Sequence, residues 1–215
     1  MSTVYVVLGM HRSGTSLVSS MLHRAGLPMC RYRCSKGDKT QPFGYYEDHD
    51  FVVINRAILA GARGNWHNPS SIKAIRFAAE ELNSDMVNLV QKRADGLVAW
   101  GWKDPRTTLT VFAWHACLRR LDFTPRYVLT HRDETGVVES LLRRNRGNPV
   151  DWATLYHAYY GRAERFLRST RAPYVRVDFR ELTKGDLAAE AGRLAAFAGL
   201  EDQIDVMMDQ VHRRD

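Results

Sequence analysis

The chain has 215 residues, 45% hydrophobic and 26% charged, a balance that excludes a disordered or fibrous polypeptide and suits one α/β domain spanning 1–215. Its net charge of +7 and pI near 9.5 favour an anionic ligand, without separating a nucleotide from nucleic acid or an acidic glycan. No stretch reaches the roughly 18 apolar residues of a membrane helix, no signal peptide is apparent at the amino terminus, and Cys30, Cys34 and Cys117 make no disulfide framework, so a cytoplasmic setting is expected.

Residues 4–8 read as a buried parallel strand, and 15–24 as a helix that turns Leu17, Met21 and Leu22 toward a core before Gly26-Leu27-Pro28 ends it. Residues 30–46, with Gly37, Pro42 and Gly44, read as a polar loop. Asp48 or Asp50 then caps a helix bearing Phe51, Ile54 and Ile58. Another helix starts near Ser70-Ser71 and carries Ile75, Leu82, Met86 and Leu89 at helical spacing. A strand at 97–102 precedes a helix with Val111, Trp114, His115 and Leu118 on one side. The strand at 127–130 runs into a helix bearing Val137, Val138, Leu141 and Leu142. From Asp151 an amphipathic helix presents Trp152, Leu155, Tyr159, Phe166 and Leu167. Residues 174–179 form the fourth strand and 187–198 its helix, closed by Gly199. This alternation predicts a three-layer, P-loop-like α/β domain with a central parallel β-sheet flanked by helices.

The first strand leads into Gly9-Met10-His11-Arg12-Ser13-Gly14-Thr15-Ser16. That is the register of the phosphate loop G-x-x-x-x-G-K-[ST], with Thr15 at the lysine position. Glycines permit a tight turn that aims successive N–H groups inward, and the following helix adds its own free N–H groups and dipole. Enzymes that use ATP or GTP reach the terminal phosphates with the lysine that is missing here, so a nucleotide with a differently charged 5′ group is expected. The loop resembles that of the sulfotransferase family, [RK]-S-G-T-[TS] directly after the first strand. The resemblance implies that 3′-phosphoadenosine-5′-phosphosulfate (PAPS) is the donor, with its 5′-phosphosulfate on Arg12, Ser13, Gly14, Thr15 and Ser16. Arg12 would also neutralise the transferring group.

The family's second signature is an arginine ending a central strand with a serine eight residues on, and Arg132 and Ser140 stand at that spacing. The resemblance implies that they grip the 3′-phosphate, a role that suits a guanidinium fork and a hydroxyl. More loosely, 175–179 and Arg180-Glu181-Leu182 resemble the family's late strand and corner. Gly101-Trp102-Lys103-Asp104-Pro105-Arg106 resembles the Lys-Asp-Pro segment of tyrosylprotein and many bacterial sulfotransferases. It lies at a strand's carboxyl end, where open α/β sheets bind ligands. By that resemblance Lys103 stabilises charge near the sulfuryl group and Arg106 positions the ligand.

Sulfuryl transfer needs alignment, charge neutralisation and a base for the acceptor's proton. Within Phe43-Gly44-Tyr45-Tyr46-Glu47-Asp48, Glu47 is the expected base and acceptor contact, by likeness to the glycan and tyrosine enzymes. It follows Arg12 by 35 residues, a longer gap than in the tyrosine enzymes. Asp48 as a plain helix cap and Glu47 as a first-turn dipole partner are the alternatives, and His11, His49 and His131 compete as bases. The Lys-Thr-His-Leu-Pro segment and the Gly-rich carboxyl-terminal motif of the cytosolic animal enzymes are absent. Tyr156, Tyr159 and Tyr160, or the basic tail 211–215, are left to cover the adenosine. Trp66, Trp100 and Trp102 either stack on an acceptor or fill the core. His23, Cys30, Cys34 and His49 match no zinc spacing, and no metal is required.

The expected activity is therefore in-line sulfuryl transfer from PAPS to a hydroxyl on a small-molecule or glycan acceptor, with neither nucleic acid nor membrane as partner. A P-loop kinase or NTPase with an atypical loop, recruiting Lys103 and Asp178, is the alternative. A nucleic-acid-binding domain using Arg143, Arg144 and Arg146 is a third, although no RNA-binding signature accompanies them.

Overall fold

A computed structural model describes residues 2–30, 37, 44–145 and 147–212. Cys34, Phe43, Arg146 and the tail residues 213–215, together with most of the expected loop at 30–46, lie outside the described residues. The sheet consists of β1 (Thr3–Leu8), β2 (Ala99–Lys103), β3 (Thr124–His131) and β4 (Tyr174–Asp178). Its order is β2-β1-β3-β4 and every pair is parallel. Parallel neighbours need long crossovers, and helices supply them. Among the described residues these are α1 (Thr15–Arg24), α2 (His49–Gly61), α3 (Ile72–Glu81), α4 (Asn83–Ala94), α5 (Thr107–Arg120), α6 (Glu134–Arg144), α7 (Pro149–Thr170), α8 (Phe179–Lys184), α9 (Leu187–Ala198) and α10 (Ile204–His212).

Side chains alternate across a strand, and β1 uses both faces. Val4, Val6 and Leu8 enter a core built with α2 to α7, whereas Tyr5 and Val7 enter a second core built with α1, α9 and α10. The expected three-layer α/β architecture is the one observed. It also locates the site. The helix leaving β1 covers one face, and the helices leaving β2 and β3 cover the other. A crevice therefore opens at the carboxyl ends beside β1, the switch point at which such sheets take ligands.

Several elements depart from expectation. The single helix expected from Ser70-Ser71 to Leu89 is two, α3 capped by Ser71 Oγ on Ala74 N–H, and α4, with the break at Leu82 (φ −97°, ψ 11°). Ile75, Met86 and Leu89 still reach one core, so the apolar period runs unbroken through a one-residue interruption. β3 begins at Thr124 because its register with β1 extends back to Thr3↔Thr124 and Val4↔Pro125. The fourth strand ends at Asp178, whose carboxylate accepts from Arg180 N–H and starts α8. α10 was not expected; it packs on α1 through Met207 and Val211.

Candidate active site

The loop between β1 and α1 is shaped by three residues at positive φ: Gly9 (147°), Arg12 (72°) and Gly14 (94°). A side chain at Gly9 would strike Thr130 Oγ1, and one at Gly14 would strike the Phe179 ring. The loop is thus pressed against the ends of β3 and β4. Ser13 is fully buried; its hydroxyl donates to Met10 O (2.7 Å) and pairs with Thr130 Oγ1 (3.1 Å). Its N–H donates to Met10 O as well (3.2 Å), so Ser13 braces the loop from within. Gly9 N–H donates to Thr108 Oγ1 (2.9 Å). No side chain caps α1, which leaves its first-turn N–H groups and positive dipole end for an anion.

The second anchor meets the loop at Arg12. Arg12 Nε donates to Ser140 Oγ (2.9 Å), and Arg132 Nη1 donates to Arg12 O (3.2 Å). Arg132 also lies over the Phe179 ring, 4.7 Å from its centroid. Two residues separated by more than a hundred positions in sequence therefore converge on one arginine. Burial lowers the Arg12 pKa, with Arg144, Arg132 and Arg143 adding to the effect. Burial lowers that of Arg132 too. Among the described residues no carboxylate forms an ion pair with Arg12 or Arg132, so positive charge accumulates here.

Across the cleft stands a group with the opposite character. Lys103, at the end of β2, is buried and donates to Glu47 Oε1 (2.9 Å) and Ser16 Oγ (3.2 Å). Arg106 Nη1 donates to Asp104 Oδ1 (2.7 Å) and lies 4.0 Å from Glu47 Oε2. Burial raises the Asp104 pKa, against the pull of Arg106. For Arg106 itself, burial works to lower the pKa, but Asp104 and Glu47 outweigh it and the value is raised. Fully buried Asn55 on α2 holds this group in place. Its amide N–H groups donate to Asp104 Oδ2 and Thr107 Oγ1 (both 2.9 Å), and its oxygen accepts from Thr110 (2.6 Å) and Trp114 (2.8 Å). That uses the whole capacity of an asparagine amide.

Glu47 directly precedes α2, whose cap is Asp48: the carboxylate accepts from Asp50 N–H and takes Arg93 in a buried pair. Asp48 is thus the cap, and Glu47 is free of that duty and faces the cations. Of the competing histidines, His11 lines the cleft; His49 is exposed, and His131 bonds Asp178 (3.1 Å) and Tyr156 (3.3 Å) outside the lining. The cleft holds about 360 Å³ and brings together His11, Arg12, Glu47, Lys103, Arg106 and Arg132, with Gly14, Thr15 and Ser16 on its floor.

Packing bears on three alternatives that the sequence left open. Tyr156, Tyr159 and Tyr160 are buried, and their hydroxyls donate to Arg132 O, Trp66 O and Thr130 O. None of the three lines the cleft. Trp100 and Trp102 belong to the core around Phe51 and Trp114. Asp178 is committed to capping α8 and to His131, away from the lining. Sequence reasoning also missed lining residues. Arg144 joins the cleft with its guanidinium 5.6 Å from the Tyr45 ring centroid and 3.1 Å from the Tyr45 hydroxyl. Its signal was its position one turn beyond Ser140 on the same helix face. Among the described residues no group of three or more His, Cys, Asp and Glu side chains suits a metal ion, and no helix is long and apolar enough to cross a membrane.

No family model matches the chain, and no curated protein matches it in sequence. Among solved structures it is similar to the sulfotransferase domain of the Synechococcus PCC 7002 olefin synthase, over 95% of this chain and 77% of that one, with a TM-score of 0.57 and 17% identity. At that identity the likeness is one of fold. A candidate kinase from Chloroflexus aurantiacus j-10-fl aligns over 94% of this chain and 98% of that one, at a TM-score of 0.41 and 14% identity, too slight a similarity to carry an argument.

Proposed function

We propose that the chain transfers a sulfuryl group from PAPS to a hydroxyl of a small-molecule or glycan acceptor. The observation that carries this reading is the convergence of Arg12, Arg132 and Ser140 beside the Lys103–Glu47 pair. On this reading the loop and the Arg132–Ser140 anchor take the 5′ and 3′ anionic groups of one nucleotide, with the lysine and the carboxylate across the cleft. The loop and the start of α1 hold the 5′-phosphosulfate. The 3′-phosphate takes Arg132 and Ser140, replacing the contact that Ser140 makes with Arg12.

Glu47 then removes the proton of the acceptor hydroxyl. The new O–S bond forms in line as the S–O bond to the 5′-phosphate breaks, and adenosine 3′,5′-bisphosphate leaves. Lys103 turns from Glu47 to the bridging oxygen and neutralises the charge that develops there. Arg106, fixed by Asp104, keeps the entry for the acceptor positively polarised.

A thermal-shift comparison tests the reading against its rivals. A ligand at a hundred times its Kd stabilises the folded state by about 2.7 kcal/mol. Adenosine 3′,5′-bisphosphate without magnesium should raise Tm. A rise with ATP and magnesium alone would favour a kinase or NTPase, and one with oligonucleotide alone a nucleic-acid domain. Labelled PAPS incubated with extracts of candidate acceptors then identifies the product.

A further inference from the structure

We propose that His11 touches the transferring group itself, its imidazole N–H donating a hydrogen bond to a sulfuryl oxygen. This rests on the donor assignment above and adds a contact that the loop motif does not contain.

His11 lines the cleft with Arg12, Lys103, Arg106 and Glu47. Its ring is fixed from two sides, by Trp66 (centroids 4.7 Å apart, 55° between planes) and by Tyr159 (6.3 Å, 73°). These walls are tied to each other, because Tyr159 OH donates to Trp66 O (2.9 Å). The imidazole is held rigidly yet has no protein partner: Nε2 is buried without a hydrogen bond among the described residues. Of the polar groups that share the cleft, Arg12 is engaged with Ser140 and Lys103 with Glu47, whereas Arg106 Nε, like His11 Nε2, is buried without a hydrogen bond among the described residues. In a native interior such an orphaned group calls for an explanation, and a bound ligand is the one that fits a group lining a cleft.

The surrounding charge says which ligand atom it meets. Burial, then Arg106, Lys103, Arg144 and Arg12, hold the His11 pKa well below its usual value. The ring is therefore uncharged at neutral pH, with one N–H and one lone pair. His11 lines the cleft together with Glu47, Lys103 and Arg106 of the transfer side, and Arg106 and Lys103 lead the cations that lower its pKa. An imidazolium in that company is disfavoured, which argues against His11 as the proton acceptor. What remains for His11 is to donate to the oxygen of an anion drawn in by the same cations. The transferred sulfuryl, beside Lys103, is that anion.

The test compares two nucleotides that differ only in the sulfuryl group. Titration calorimetry of His11→Ala with PAPS and with adenosine 3′,5′-bisphosphate should show PAPS weakened about tenfold or more, the usual effect of losing one hydrogen bond to a charged group. The bisphosphate should bind as it does to the unaltered protein. His11→Gln, whose amide N–H reaches the position of Nε2, should recover most of the PAPS affinity, and thermal unfolding of both variants checks that the Trp66 wall is intact. Equal losses for the two nucleotides would make His11 a phosphate contact or a brace, and unchanged affinity for both would remove it from the site; either result overturns the proposal. If the unaltered chain binds neither nucleotide, the sulfotransferase reading itself has failed.

Discussion

The two sides of the cleft solve the problem of burying charge in different ways. On the nucleotide side Arg12, Arg132 and Arg144 make no ion pair among the described residues, and they meet two hydroxyls, one carbonyl and two aromatic rings. On the transfer side Lys103 and Arg106 are paired with Glu47 and Asp104, and Asn55 saturates the second layer. The first arrangement is electrostatically unfinished and invites an anion. The second is paired before any ligand arrives, with Arg106 Nε alone of that group buried without a hydrogen bond among the described residues, and its task is to hold geometry. Uncompensated cations supply affinity, whereas paired and braced ones supply the alignment that catalysis needs.

The sharpest way to break this division is Glu47→Gln. Glutamine keeps the size and reach of Glu47 but cannot take the acceptor's proton. Turnover should fall by about 10²–10⁴-fold, the range for losing a general base, while the Kd for PAPS stays unchanged. An altered enzyme with near-normal kcat would take Glu47 out of the mechanism and return the transfer side to a purely structural role.

The next contrast is in stability. Arg93 binds Asp48 through Nε (2.5 Å) and Nη2 (2.8 Å), and Asp50 through Nη2 (2.6 Å). The Arg93 and Asp48 side chains are each only 2% exposed. Arg93→Met strands the buried Asp48 carboxylate beneath Glu47 and should cost about 3–5 kcal/mol in urea denaturation. Arg132→Ala, on the unpaired side, should cost under about 1 kcal/mol. Comparable losses would mean that the nucleotide side is braced as well.

Binding gives a smaller, opposite contrast. Arg132→Ala should raise the Kd for adenosine 3′,5′-bisphosphate about tenfold to a hundredfold, the worth of one charged hydrogen bond, and leave adenosine 5′-monophosphate unaffected. Equal losses for the two nucleotides would contradict a 3′-phosphate subsite at Arg132 and Ser140.

The same division explains what the sequence made legible. The nucleotide side is carried by local spacing. Gly9 to Ser16 and the interval from Arg132 to Ser140 can be recognised because a loop and one helical stretch each place their own residues. The α/β alternation was readable for a similar reason, since each strand has its own apolar run. The transfer side depends on contacts between distant elements: Glu47 with Lys103 and Asn55 with Asp104. Asn55 sits in an apolar helix face with nothing local to mark it as a brace. The role of tyrosines 156, 159 and 160 stays open in the sequence because a hydroxyl that bonds a buried carbonyl looks there like one that awaits a ligand. The helix break at Leu82 was invisible because the apolar period survives it.

Acid stability gives the smallest contrast, and its sign follows from the histidines. Burial leads in lowering the pKa values of His11, His23 and His115, and nearby arginines add to it for each. A histidine whose folded pKa is depressed binds fewer protons folded than unfolded once the pH drops below the unfolded value, near 6.5. Its neutral form is therefore fully compatible with folding above that pH, and stability is lost as pH falls from about 6.5 toward the folded value. The nucleotide-side arginines do not titrate in this window. Asp178 acts in a lower one: burial works to raise its pKa, but hydrogen bonds from Arg180 N–H and His131 outweigh it and the value is lowered. Its contribution is present above about 3.9 and disappears below. Urea denaturation at a series of pH values from 7.5 to about 5 should show stability declining, and His11→Asn should flatten the decline, most of all without ligand. With adenosine 3′,5′-bisphosphate bound, negative charge in the cleft offsets Arg12 and Arg144, the His11 pKa rises toward normal, and the difference between His11→Asn and the unaltered chain should narrow. A pH slope that His11→Asn leaves untouched would place the titrating groups at His23 and His115, away from the cleft.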